Sequence, residues 1–262
     1  IHLVIGDVMK LPFSLVVICF LSFYHPLAHG NQPKKPLVVF LCAEQEYETA
    51  RTLPEFSRRY LASYQTVFSF ATEQDPNVLS LHEPIQRADL LVVSVRRRAL
   101  PDEQLEFIKQ YVAAGKPILG IRTASHAFSL RSGEPPTGHN VWPEFDQVVF
   151  GGNYSNHYAN DLLVTITTDK SRRSKRSLLL RGVNSKQAFT SKGSLYKVSP
   201  LVQGTSVLAE GKVKGHPAEP IAWTFKREDG GKSFYTSLGH PTDFESDLLP
   251  KLLFNAIQWC LK

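Results

Sequence analysis

The segment Gly120–Phe128 concentrates side chains that could do chemistry. Arg122, Ser125 and His126 follow directly after the apolar run Pro117–Leu119. An apolar run that gives way to small residues is typical of a buried strand that turns tightly into a helix. In α/β proteins the carboxyl end of such a strand opens into the ligand crevice. We therefore predict a functional site here, with Arg122 and Ser125 in contact with a ligand.

Three histidines, His126, His157 and His240, lie in three separate loops. An imidazole has an unperturbed pKa near 6.5, so it can act as a general base or as a metal ligand. We predict His240 and His126 as the acid–base groups, with Asp243 as a neighbouring carboxylate. A zinc site needs about three or four ligands, and these histidines show no short ligand spacing. No metal or other cofactor is therefore expected, and a divalent metal such as zinc on the three histidines is kept as an alternative.

Aromatic and amide side chains accompany His157 in the Gly-rich segment 150–158. Tyr154 and Asn156 suit carbohydrate recognition, because a ring can stack on a sugar and an amide can bind its hydroxyls. The alternative is a loop packed on its own side chains. Glu44 and Tyr47, which follow the first predicted strand, complete the set of predicted ligand contacts. For Arg122, a structural ion pair with Glu44 or Glu46 is an equally weighted alternative to ligand binding.

The elements that must position these residues alternate in type. Leu37–Cys42, Asp89–Val95 and Lys116–Ile121 are nearly continuous apolar runs, as expected of parallel strands that are buried on both faces. Helices are predicted at Pro54–Ser63 and from Pro101 to Ala114. Since the carboxyl ends of parallel strands meet at one edge, we expect three segments to converge. They are Glu44–Thr49, Arg96–Arg98 and Arg122–His126.

The second half of the chain predicts further strands and a closing helix. The predicted elements are the strands Gln65–Ala71, Leu162–Thr168, Ser206–Glu210, Ile221–Lys226 and Lys232–Leu238 and the helix Leu248–Leu261. No linker or internal repeat divides the chain after its first 30 residues. Residues 31–262 are therefore predicted to be a single α/β domain.

Composition narrows the class of partner. The chain has 262 residues, of which 42% are hydrophobic and 21% charged, with a net charge of +6. Both fractions are ordinary for a soluble globular protein. The basic run Lys170–Arg176 contains no aromatic residue, so we interpret it as a solvated loop and expect no nucleic-acid partner. A small-molecule carbohydrate ligand is expected, and a homo-oligomer is left open.

The first 30 residues are interpreted as an upstream extension followed by a signal peptide. A basic start at Met9-Lys10 precedes the apolar run Leu11–Phe23, and Ala28–Gly30 has a small-x-small cleavage pattern. The apolar run is shorter than the roughly 20 residues that span a membrane. We therefore expect removal of residues 1–30, no stable membrane insertion, and a periplasmic or secreted protein. Cys42 and Cys260 are predicted to be buried free thiols.

Three segments together resemble the ThuA-like family, which is named for trehalose utilisation. The segments are Gly120–Phe128, Gly151–His157 and Leu238–Phe244, and Asn255–Trp259 fits the closing helix of the family. The resemblance covers the chain from Leu37 to its end. It implies a fold like that of class I glutamine amidotransferases, a flavodoxin-like three-layer sandwich with a mostly parallel central sheet.

The same resemblance shows that a catalytic triad is missing. Class I glutamine amidotransferases use a cysteine in Gly-x-Cys-x-Gly and a late His-Pro-Glu. Here the cysteine position falls on Arg122, and the glutamate position falls on Thr242, although His240-Pro241 matches. An arginine has a pKa above about 12 and cannot act as a nucleophile or base. Glutaminase activity is therefore excluded.

Three hypotheses remain. The first is an exported protein that binds or processes a sugar or sugar derivative; if it is an enzyme, we expect a sugar-directed hydrolase or a related activity. The second is a non-catalytic carbohydrate-binding or accessory module. The third is a metal-dependent hydrolase that uses the three histidines.

Overall fold

Apolar runs of the sequence form the strands of one large sheet. The computed structural model describes residue 2 and residues 34–81, 83–169 and 178–262. The predicted signal peptide at Met9–Gly30 and the basic run Lys170–Arg176 lie outside these residues. Lys35–Lys262 form one unit by their internal contacts. Among the described helices, none combines the length and the apolar character needed to cross a membrane.

Nine strands of the described residues make up the sheet, in the spatial order β2-β1-β3-β4-β9-β8-β7-β5-β6. Their bounds are β1 Leu37–Ala43, β2 Gln65–Phe70, β3 Leu90–Val95, β4 Ile118–Ile121, β5 Val164–Thr168, β6 Phe189–Ser191, β7 Thr205–Lys212, β8 Glu219–Lys226 and β9 Lys232–Thr236. The pairs from β2 to β9 are parallel, and the pairs from β9 to β6 are antiparallel. The predicted parallel centre is confirmed, with β6 as a strand that the sequence did not indicate.

Helices cover both faces of the sheet. They are α1 Thr49–Tyr60, α2 Glu83–Arg87, α3 Asp102–Ala113 and α4 Leu249–Cys260. In β1, Val38 and Phe40 pack in the cluster that contains α1 and α4. The alternate residues Val39 and Leu41 pack in the cluster that contains α2 and α3. This alternation produces the predicted three layers. Cys42 and Cys260 are buried free thiols, as predicted.

The start of α1 differs from the prediction. Pro54 was expected to open the helix, but α1 begins at Thr49 and contains Pro54 in its interior. The carboxylate of Glu44 accepts hydrogen bonds from the backbone N–H groups of Tyr47 and Thr49 at 2.8 and 3.0 Å. Acceptance of a free N–H at a helix start favours that start, so Glu44 fixes the boundary and the helix tolerates the proline.

Three strand ends meet at one edge of the sheet, as predicted. The N–H of Arg96 donates to the carbonyl of Ala43 at the end of β1, at 3.1 Å. The N–H groups of Arg97 and Arg98 donate to the carbonyls of His126 and Ala127, at 3.1 and 2.7 Å. The loops after β1, β3 and β4 are therefore fastened to one another through the backbone.

Candidate functional site

Backbone strain marks this edge of the sheet. Within the described residues, Glu48, Arg97 and Arg122 are the non-glycine residues with positive φ, at 52°, 51° and 47°. They follow β1, β3 and β4 respectively. Such conformations cost about 1–3 kcal/mol each and cluster at functional sites. The strain indicates that the carboxyl edge of the sheet is the functional edge.

Arg122 is enclosed by a group of residues that we call the Arg122 cage. Only 2% of Arg122 is exposed. Its guanidinium carbon lies 4.2 Å from the ring centre of Tyr47 and 4.8 Å from that of Tyr196. Its Nη1 donates to the carbonyl of Ser237 at 2.6 Å, and its Nη2 lies 3.2 Å from Ser194 Oγ and from the Tyr47 hydroxyl. The cage therefore ties three loops to one buried cation.

The ion pair considered for Arg122 is absent, because both glutamates are engaged elsewhere. Glu44 accepts the backbone bonds at the start of α1, and Glu46 forms a salt bridge with Arg96 at 2.9 Å. Gly193 instead lies against the guanidinium, and a Cβ on this glycine would come within 2.8 Å of Nη1. The cation is thus stabilised by aromatic faces and neutral oxygens rather than by a carboxylate.

A cavity of about 320 Å³ lies beside this cage, and we call it the His126 cavity. Its wall combines basic, acidic, aromatic and hydroxyl side chains. The lining residues are Arg97, Ser125, His126, Ser129, Pro143, Glu144, Asp146, Gln147, Gly152, Asn153, Tyr154 and Ser155. Three predicted contacts, Ser125, His126 and Tyr154, therefore share one space.

His126 is a buried, neutral imidazole in the cavity wall. Its ring stacks on Tyr154 with centroids 4.5 Å apart and an interplanar angle of 27°. Its Nδ1 lies 3.2 Å from Ser125 Oγ. Burial, followed by the positive charges of Arg97 and nearby arginines, lowers the pKa of His126 to about 2. At neutral pH the ring is a hydrogen-bonding group and a weak base.

Asp146 is the acidic residue of the cavity wall, and the sequence reasoning did not identify it. It lies in a short π-helical turn, Asp146–Phe150, and is 7% exposed. Its Oδ2 accepts the N–H of Tyr154 at 2.8 Å, while Oδ1 is buried without a partner. Burial raises the pKa of Asp146 to about 7. A Cβ on Gly152 would collide with this carboxylate, which explains the second glycine of the Gly-Gly pair.

Tyr196 joins the cage to the cavity, and no sequence signal pointed to it. Its ring faces Arg122 on one side and lies 4.7 Å from the ring of Tyr154 and 5.9 Å from that of His126 on the other. It belongs to the two-residue strand Tyr196–Lys197, which pairs with Asn156–His157. The two regions therefore share one aromatic wall.

His240 and Asp243 lie after β9 but do not form a side-chain pair. The carboxylate of Asp243 accepts the backbone N–H groups of Gly239 and His240, both at 3.0 Å. The Nδ1 of His240 lies 2.8 Å from Thr242 Oγ1. Its ring centroid is 6.5 Å from that of Tyr47 at the cage, and burial lowers its pKa. Neither residue lines the His126 cavity.

Asn156 and His157 lie at the margin of the site. Asn156 is exposed, and its Oδ1 accepts the N–H of His157 at 2.9 Å. The ring of His157 lies 2.7 Å from the carbonyl of Tyr158 through Nδ1 and 6.4 Å from Tyr196. Within the part of the chain that the structure describes, no three His, Cys, Asp or Glu side chains are grouped to hold a metal ion.

Comparisons with known proteins place this geometry in a family context. The family model described as ThuA, trehalose utilisation, matches residues 37–260. A putative ThuA-like protein from Bacteroides uniformis is 16% identical with a TM-score of 0.61, over 90% of this chain and 95% of that one. For a putative ThuA-like protein from Parabacteroides merdae the identity is 14% and the TM-score 0.61, over 87% and 91%.

A cytoplasmic protein from Salmonella typhimurium is 13% identical with a TM-score of 0.53, over 85% of this chain and 98% of that one. No curated protein matches the chain. At these identities the structural likeness concerns the fold alone. It agrees with the predicted α/β, flavodoxin-like arrangement.

Proposed function

Because the chain belongs to the ThuA family, whose description as trehalose utilisation supports a sugar-related role, we propose that it binds and processes a sugar or sugar derivative in the His126 cavity. One observation carries the proposal: an aromatic ring, a neutral imidazole and a carboxyl with a pKa near neutrality line the same space. The volume of about 320 Å³ falls at the lower end of small-molecule sites.

The wall of the cavity suits a polyhydroxylated ligand. Tyr154 offers a ring and a hydroxyl, and Ser125, Ser129 and Asn153 add hydroxyl and amide groups. A sugar presents C–H faces to aromatic rings and hydroxyls to polar side chains, so both kinds of partner are needed. The Tyr154 backbone is fixed by Asp146, which preorganises this wall.

Asp146 is the proton-transfer group of the proposal. A carboxyl with a pKa of about 7 can donate or accept a proton at neutral pH, which an ordinary aspartate cannot do. His126, with a pKa of about 2, is a hydrogen-bond partner for the ligand rather than a base. The assignment of His240 and Asp243 as catalytic residues stays a prediction, and their position outside the cavity wall favours Asp146.

Arg122 is a positioning residue in the proposal. With 2% exposure and its donors directed at Ser237, Ser194 and Tyr47, its guanidinium orders the loops without reaching the cavity. Its strained backbone occupies the sharp turn at which related folds place a nucleophile. The turn is thus used here to direct a side chain inwards.

A binding and turnover assay tests the proposal. Glucose, trehalose and their oxidised derivatives would be titrated by calorimetry, and product formation would be followed by NMR. We expect Tyr154→Ala to weaken binding at least tenfold, and Asp146→Asn to retain binding but lose turnover. Tyr158→Ala is the matched control, because Tyr158 packs on His216 outside the cavity wall. Equal binding by wild type and Tyr154→Ala would place the ligand elsewhere.

A non-catalytic binding module is the second candidate. It is supported by the arginine at the nucleophile position and by the engagement of Asp243 with backbone groups. Binding of a sugar without product from any member of the panel would favour it. The metal-dependent alternative draws no support from the described residues, and elemental analysis of the purified protein tests it.

Export remains part of the proposal through the predicted signal peptide at Met9–Gly30. N-terminal sequencing of the protein isolated from its native cells tests this prediction. A mature chain that begins near Asn31 would support it, and an intact N-terminal segment would contradict it.

A further inference from the structure

We propose that the ligand of the His126 cavity is an anionic sugar derivative, and that Arg97 binds its carboxylate or phosphate group. The inference rests on the proposed function, because it names the class of sugar that this cavity takes. It depends on the position of Arg97, on its lack of a carboxylate partner and on the charges around it.

Arg97 differs from both of its neighbours in sequence. Arg96 forms a salt bridge with Glu46 at 2.9 Å, and Arg98 donates through Nε to the carbonyl of Ala43 at 3.2 Å. Arg97 lines the cavity, and across the described ranges it forms no salt bridge. Its Nε is buried without a hydrogen-bond partner. A buried donor without a partner is costly, so this guanidinium retains capacity for an acceptor that enters the cavity.

The backbone holds Arg97 at the wall at an energetic cost. Its φ of 51° lies in the left-handed region that arginine rarely adopts. The conformation is fixed by the bond from its N–H to the carbonyl of His126. Its side chain interacts with Tyr154, which belongs to the same wall. Strain of this kind persists where a precise side-chain position is needed.

The charge around the cavity is mainly positive. After burial, four arginines lower the pKa of His126: Arg97, Arg96, Arg122 and Arg131. Two acids of the wall oppose them. Asp146, with a pKa of about 7, is about half neutral at pH 7, and Glu144 is exposed at the rim. A positive field inside a concave, partly buried wall attracts anions.

Carboxylates and phosphates match this arrangement chemically. The planar guanidinium of arginine donates two parallel hydrogen bonds to either group. The polar wall beside Arg97 provides for the hydroxyls of the sugar. An anionic sugar therefore satisfies the guanidinium and the cavity together, whereas a neutral sugar leaves the cation without a counter-ion.

Calorimetric titration of matched ligands tests the inference. Glucuronate and glucose 6-phosphate would be compared with glucose, and with acetate and inorganic phosphate, on wild type, Arg97→Gln and Arg131→Gln. In wild type, at least one of the two charged sugars should bind about 10-fold to 100-fold more tightly than glucose. Arg97→Gln should lose that preference but still bind glucose. Arg131→Gln, which removes an exposed arginine outside the wall, should change the preference less than threefold.

The outcomes separate this inference from the proposed function. If glucose binds wild type as tightly as both charged sugars, or if Arg97→Gln keeps the preference, the anionic contact is wrong and the sugar site stands. If phosphate or acetate binds through Arg97 but no sugar binds more tightly than these ions, the anion contact stands and the sugar site is wrong. If none of these ligands binds, both proposals fail.

Discussion

Arg97 and Arg122 lie at the ends of neighbouring strands, with nearly equal φ values of 51° and 47°, yet they have opposite surroundings. Arg122 is 2% exposed, and its guanidinium is held between two tyrosines and bonded to three oxygen-bearing partners. Arg97 faces a cavity of about 320 Å³ with a buried donor that has no partner. The same residue type in the same backbone conformation is thus used in two ways.

The difference lies in where hydrogen-bonding capacity is left over. In the Arg122 cage the terminal nitrogens of the cation bond to groups from three loops, so the cage stabilises the fold. In the His126 cavity, Arg97 Nε and Asp146 Oδ1 are buried without partners. Buried polar groups are normally paired, and unpaired ones concentrate at sites that await a ligand. The cage is therefore structural and the cavity functional.

Replacement of Arg122 should have the largest effect on stability. Arg122→Ala leaves the carbonyl of Ser237 and the hydroxyl of Ser194 without their donor and opens a void between two tyrosines. We expect the free energy of unfolding, measured by urea denaturation, to fall by about 3–5 kcal/mol. Arg51→Ala, on the surface of α1, is the control and should change stability little. Unchanged stability of Arg122→Ala together with lost sugar binding would make Arg122 a ligand contact and remove the contrast.

The sequence predicted the edge of the sheet but not the division of labour on it. Continuous apolar runs are a strong signal for buried parallel strands, so the convergence of the three loops could be predicted. The environment of Arg122 could not be, because the Tyr196 and Ser194 contacts come from a segment more than 70 residues away. A buried guanidinium and one that faces a cavity look the same in a sequence.

Asp146 shows the same limit for the cavity. Its carboxylate lies beside Gly152 and accepts the N–H of Tyr154, so its role depends on a turn that has no periodic signal. The Gly-Gly pair in this segment indicated a close backbone approach but not which side chain approaches. Local signals were similarly insufficient at Pro54, where the bonds from Glu44 override the usual position of proline.

Asp146→Asn should reveal a pH dependence that is cancelled in the wild type. Between about pH 4 and 6.5, His126, with a pKa of about 2, is protonated in the unfolded chain only, so its contribution to stability rises with pH. Asp146, with a pKa of about 7, is protonated in the native state only, so its contribution falls with pH. The wild type should therefore have nearly constant stability from these two groups.

With Asp146 replaced, the contribution of His126 is exposed. The free energy of unfolding of Asp146→Asn should rise by about 2–3 kcal/mol relative to wild type from pH 4.5 to 6.5, at up to about 1.4 kcal/mol per pH unit. Asparagine keeps an acceptor for the Tyr154 N–H, so the comparison is conservative. Parallel stability curves for variant and wild type, from urea denaturation at each pH, would show that the cavity groups titrate normally.

His126→Gln should give the opposite slope. The contribution of Asp146 is then exposed, and stability should fall by about 2 kcal/mol relative to wild type as the pH rises from 4.5 to 6.5. The loss of stacking on Tyr154 is independent of pH and shifts the whole curve. The double variant of His126 and Asp146 should return to the wild-type slope. A double variant with the slope of either single variant would mean that only one of the groups has a shifted pKa.

Arg97→Asn should have the smallest effect, with a sign opposite to that at Arg122. Asparagine adopts the left-handed region more readily than arginine, so relief of the strain at φ 51° should raise the free energy of unfolding by about 0.5–1 kcal/mol. Arg97→Ala keeps most of the strain and is the matched control, with no expected gain. The same exchange at Arg122 should destabilise, because there the lost contacts outweigh the relieved strain. Because Arg97 lines a cavity and leaves a donor unpaired, a gain in stability paired with loss of preference for anionic ligands is the behaviour of a residue kept for binding. A loss of stability at Arg97 as large as that at Arg122 would show that both arginines are structural.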